Sequence, residues 1–91
     1  MLNENLLIQQ EIQAIVATLR PEDCDVIRCL PEEQLIKLHR TLGHVLRNAF
    51  RSGIYPNLFR HCSALETPQS RSFDSISATA IQRVWTYLRK S

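Results

Sequence analysis

A chain of 91 residues with a formal net charge of +2 is long enough for one domain with a single modest core, which excludes an enzyme built from separate cofactor and substrate lobes. Its composition, 44% hydrophobic and 22% charged, is that of a folded chain rather than a disordered one. No apolar stretch approaches bilayer-spanning length, and the N-terminus lacks the basic start and apolar run of a secretory signal, so no membrane association and a cytoplasmic location are expected.

Five helical segments follow one another, with no convincing strand. In the first, Ile8, Ile12, Ile15, Val16 and Leu19 recur at the spacing of one helix face, with Leu6 and Leu7 off that stripe. Pro21 stops this helix and suits the first turn of a second, where Glu22, Asp23 and Asp25 stand at the positive end of the helix dipole. The second helix ends near Leu30. Pro31, Glu32 and Glu33 repeat the arrangement and open a third.

The third helix is expected to run over residues 31–52 and to be the long central element. Its apolar arc holds Leu35, Ile36, Leu38, Leu42, Val45, Leu46, Ala49 and Phe50, and Gly53 suits the left-handed residue that ends it. Lys37, Arg40, His44, Arg47 and Arg51 collect on the opposite side within a sector about 80° wide, a basic stripe along roughly four turns. His39 and Gly43 lie inside the apolar arc. The spacing predicts a partly buried imidazole bonded to a carbonyl or hydroxyl at His39, and a close helix crossing at Gly43.

Pro56 opens a short fourth helix carrying Leu58, Phe59, Cys62 and Leu65, with Ile54 and Tyr55 at its entry. Residues 66–75 are polar, with a central proline and three serines, and read as the main loop and the most mobile segment. Phe73, Asp74 and Ser75 resemble a staple and cap for the last helix, about residues 75–89. That helix is expected to bury Ile76, Ala80, Ile81, Val84, Trp85 and Leu88. The result is an all-α fold: residues 1–91 as a compact single-domain bundle of four to five helices.

Charge is polarised along the chain. Residues 1–34 hold seven acids and two bases, whereas residues 35–91 hold nine bases and two acids. Two outcomes are open: the acidic front folds against the basic back and neutralises it, or the basic stripe stays free for a charged partner.

The groups that catalysis needs are not found converging. There is no glycine-rich phosphate loop, Gly-x-Ser-x-Gly elbow or His-Glu-x-x-His pattern, and His39 and His44 stand about 140° apart on a common helix. Cys24, Cys29 and Cys62 are an odd number without disulfide-framework or zinc-hook spacing, so reduced thiols and no metal or cofactor are expected. Arginines with aromatic neighbours suit a protein interface; the same stripe would offer phosphates a salt-dependent, sequence-blind contact.

The segment Pro31-Glu-Glu-x-Leu35-Ile-x-Leu38-His39-x-x-Leu42-Gly43-x-x-Leu46-Arg47-Asn48-x-Phe50 resembles a pattern recurring in small bacterial all-helical domains of unassigned function. Asp74-Ser75-Ile76-Ser77 and Trp85-Thr86-Tyr87-Leu88 have looser counterparts there, so the resemblance covers about residues 22–89; after Phe50, Arg51-Ser52-Gly53-Ile54 replaces the tryptophan- and glycine-rich turn of the pattern. Such domains are similar in size to bacterial immunity and accessory proteins. The resemblance therefore implies a non-catalytic protein-binding domain, such as an immunity protein that neutralises a toxin, and the basic stripe adds the expectation that its partner has an acidic surface. The contact residues expected are Lys37, Arg40, His44, Arg47 and Arg51. A nucleic-acid-binding accessory protein and a structural homo-oligomer are the alternative expectations.

Overall fold

In a computed structural model of the chain, which describes residues 4–67, 69 and 72–90, every regular element among the described residues is helical. They are α1 (Glu4–Ala17), α2 (Pro21–Cys29), a 3₁₀ segment (Glu32–Leu38), α3 (Leu42–Arg51), α4 (Pro56–Ala64) and α5 (Phe73–Lys90). The radius of gyration, 12.5 Å, is close to the roughly 12 Å expected for a compact chain of this length.

Local chemistry sets most boundaries. Pro21 and Pro56 each occupy the first turn of a helix, where a missing N–H leaves nothing unsatisfied. Gly53, at φ 77°, closes α3: its N–H donates to Phe50 O at 3.1 Å and the Ile54 N–H donates to Ala49 O at 2.9 Å, the paired bonds of a Schellman stop. At the start of α5 the cap falls on Ser72 rather than on Asp74 or Ser75. The Ser72 N–H donates to Ser75 Oγ and the Ser75 N–H to Ser72 Oγ, at 3.1 and 3.2 Å, a capping box with serine in both places. The helix consequently begins at Phe73, two residues earlier than its sequence suggests. The proline expected at the centre of the preceding loop, Pro68, lies outside the described residues.

The expected long third helix is not continuous. Its first half winds as the 3₁₀ segment, the chain turns through residues 39–41 with Thr41 at φ −105° and ψ −87°, and only then does α3 begin. In the tighter 3₁₀ winding residues three apart share a face, so Leu35 and Leu38 turn to the core together while Ile36 is left 70% exposed. The central element is instead α5, which packs against α1, α2, the 3₁₀ segment, α3 and α4. Its inner face (Ile76, Ser77, Ala80, Ile81, Val84 and Leu88) is buried, and Trp85 is half-buried with Nε1 donating to Leu30 O at 2.8 Å. Ile8, Ile12 and Ile15 of α1, Leu42, Leu46 and Phe50 of α3, and Leu58 and Cys62 of α4 complete the core.

Gly43 is buried on the side of α3 that faces Ile81 of α5. A Cβ built there would lie 3.4 Å from Ile81 Cδ1 and 3.1 Å from Arg47 Nη1. The Ile81 distance is ordinary contact, so the room that glycine leaves is used by the Arg47 guanidinium, which folds back along its own helix, rather than required by the approach of α5.

Candidate functional site

The five cations of the stripe are not brought onto one line, because the turn at residues 39–41 separates Lys37 and Arg40 from the rest. Lys37 and Arg40 are exposed, the first at the end of the 3₁₀ segment and the second in the turn. His44 is exposed on α3, with its Nε2 3.2 Å from Asn48 Nδ2. Arg51 is exposed but lies over the Phe73 ring, its guanidinium carbon 5.3 Å from the ring centroid, a cation–π contact to the start of α5.

Arg47 stands apart from the other four. Its side chain is only 19% exposed; Nη2 donates to His39 O at 3.1 Å and Nε lies 3.4 Å from Asp74 Oδ1. The first bond has a local cause. In an unbroken helix the His39 carbonyl would accept from the Gly43 N–H, and the turn releases it. Arg47 therefore serves as a clasp that closes the helix break and ties it to α5. Among the described residues the His39 ring makes neither of the bonds expected of it, and its backbone oxygen carries the contact instead.

The charge asymmetry is resolved by the ion pairs. Among the described residues they are Arg20–Asp23 and Arg28–Asp25 inside α2, at 3.1 and 2.7 Å, and Arg47–Asp74 inside the basic half. None of them joins the acidic front to the basic back. The acids of the front that bond into the other half do so without a cation: Glu11 accepts from the amides of Asn57 and Leu58, and Glu32 accepts from Gln82 Nε2. Lys37 and Arg40 thus have no carboxylate partner among the described residues.

Lined by Lys37, and by Thr41 immediately after Arg40, is a feature that sequence reasoning missed, a groove of about 520 Å³ between α2 and the 3₁₀ segment with α3. Ile27 and Leu42, each 4% exposed, form its base, and Val26 and Val45 stand 58% and 52% exposed on opposite walls. Leu38 and Thr41 line the stretch between Lys37 and α3, and the Arg20–Asp23 pair closes one end. Only its α3 wall, at Val45, left a signal in the sequence, the width of the apolar arc. Val45 and Ile36 sit at its two margins, roughly 100° and 80° from the Leu46 direction, too far round for the core to cover both.

The cysteines occupy separate environments: Cys24 half-buried, Cys29 exposed and Cys62 buried. Burial pushes the Cys62 thiol up to about 11, which keeps it protonated and unreactive at neutral pH. No helix among the described residues is long and apolar enough to cross a membrane. Comparison with protein-family models, with curated proteins and with solved structures finds no match to this chain.

Proposed function

We propose that this domain is a non-catalytic binder of another protein that presents an acidic surface, working in the cytosol in the manner of an immunity protein that occupies a toxin. The observation that supports it is the state of Lys37 and Arg40: two exposed cations, with His44 on the following helix, and no carboxylate set against them among the described residues. Charges left in this state accelerate encounter with an oppositely charged partner and penalise a wrong one. Arg47 and Arg51 support the surface from behind, the first through the His39 carbonyl and the second through Phe73.

The test is affinity capture after crosslinking in the native cells, comparing the wild-type chain with a Lys37→Glu/Arg40→Glu double reversal. Both side chains are exposed, so helix content by circular dichroism stays unchanged. The reading expects an acidic protein that the wild type captures, that nuclease treatment leaves in place, and that the double reversal loses. Equal capture by both chains rejects it. Material that disappears on nuclease treatment rejects it in favour of phosphate binding.

A further inference from the structure

We infer that the groove between α2 and α3 seats an amphipathic helix of a partner protein, apolar face down, with acidic side chains along the edge that meets Lys37 and Arg40. The inference rests on the protein-binding reading above and adds to it the form of the partner and the place where it lies.

Three observations lead to a helix. The floor and both walls are aliphatic, and the polar groups are confined to the rims and one end, so the groove offers burial rather than a set of directed hydrogen bonds. Both walls belong to helical elements, and no strand edge exists among the described residues, so nothing in the groove can pair with the backbone of an extended peptide. A segment entering it must satisfy its own N–H and C=O groups, which a helix does. Finally, Val26 and Val45 face the groove from opposite sides and remain more than half exposed, positioned to close over an inserted ridge of side chains.

Charge decides which helix. On the 3₁₀ and α3 side, Lys37 lines the groove with no carboxylate partner among the described residues and Arg40 directly precedes the lining residue Thr41, whereas on the α2 side the lining acid, Asp23, is already paired with Arg20. A uniformly acidic helix would meet Asp23 on the α2 rim and find no free cation there, because Arg20 is already taken. A helix with acids on one edge and neutral residues on the other fits both rims, and this asymmetry fixes its direction in the groove.

The probe is a fluorescein-labelled peptide of about 16 residues, roughly four helical turns. It carries leucines at i, i+3, i+4 and i+7, glutamates along one edge and glutamines along the other. Its control carries lysines in place of the glutamates. Anisotropy titration against the intact chain is expected to show the glutamate peptide binding about tenfold or more tightly than the lysine peptide, with the preference reversed by Lys37→Glu/Arg40→Glu. Val26→Asp and Val45→Asp, both at exposed positions, are each expected to weaken the glutamate peptide by about tenfold.

Absence of binding, equal binding of the two peptides, or indifference to both valine variants overturns the inference. A dimer of the free chain in sedimentation velocity that Val45→Asp disperses also overturns it, by assigning the groove to a second copy. Failure here is distinguishable from failure of the functional reading. If the native partner is lost on charge reversal but retained by both valine variants, the charged surface stands and the groove does not.

Discussion

Glu11 and Asn57, 46 residues apart in the chain, are joined twice: the backbone N–H and the side-chain Nδ2 of Asn57 both donate to Glu11 Oε2, at 3.2 and 2.6 Å. The Leu58 N–H donates to the other carboxylate oxygen at 2.8 Å. The residue that precedes α4, Tyr55, supplies no side-chain cap and stands at φ 61°, a left-handed conformation that costs a non-glycine residue about 1 kcal/mol. Pro56 has no N–H, and the Phe59 N–H reaches Tyr55 O, so Glu11 completes the satisfaction of the first turn from another helix.

Replacing Glu11 by Ala is accordingly expected to destabilise the fold by about 1–3 kcal/mol, since it strands two helix-terminal amides as well as losing a charge-assisted bond. Urea unfolding measures the total, and hydrogen exchange at Asn57 and Leu58 should accelerate more than exchange at the middle of α5. Uniform acceleration along the chain would show that the carboxylate acts only through global stability.

Arg47 and Gly43 make a coupled prediction. Arg47→Ala is expected to cost about 1–2 kcal/mol, through the freed His39 carbonyl more than through Asp74, whose side chain is 81% exposed. Asp74→Asn should therefore cost no more than about 0.5 kcal/mol. Gly43→Ala places a methyl 3.1 Å from Arg47 Nη1 in the native protein, so the gain in helix propensity is offset by displacement of the guanidinium. In an Arg47→Ala background that obstacle is gone, and Gly43→Ala should become stabilising by about 0.5 kcal/mol. Additive effects of the two substitutions would mean that Arg47 moves aside freely.

The three thiols should separate in a labelling experiment on the native chain. A maleimide is expected to take Cys29 first, Cys24 more slowly, and Cys62 only after unfolding, because Cys62 is both inaccessible and held protonated. The raised Cys62 value also fixes a sign. Between pH 9 and about 11 the folded chain keeps a proton that the unfolded chain releases, so stability falls as pH rises through that window. Cys62→Ala should be less stable at neutral pH, from the cavity, yet show a flatter alkaline limb. An identical slope in both chains would assign alkaline unfolding to other groups.

The helical class and most helix starts were legible in the sequence because proline, glycine and apolar period all agree at Pro21, Pro56 and Gly53 and along α5. The break at residues 39–41 was not. Residues 31–52 contain no proline after the first, and the apolar recurrence continues in phase across the turn, so a periodic reading sees one helix. What decides the matter is tertiary: Leu35 and Leu38 reach the core by 3₁₀ winding, and Arg47 compensates the carbonyl that the turn releases. Even so, Arg47 stands at the margin of the stripe nearest Phe50, about 60° away, which is the position from which a long side chain can fold inward. The exposed state of Lys37 and Arg40 was within reach of periodicity. The groove beside them was not, because its two walls come from elements that only the packing on α5 sets opposite one another.

Because each earlier element leans on α5, the core is expected to close only after α5 has been synthesised. As the polypeptide leaves the ribosome, α1 and α4 can find each other, but α2, the 3₁₀ segment and α3 emerge with their apolar sides open to solvent. They remain so until the last helix follows, and only its arrival lets the valley between α2 and α3 take shape. Any partner that recognises that valley therefore recognises a chain in which α5 is already docked.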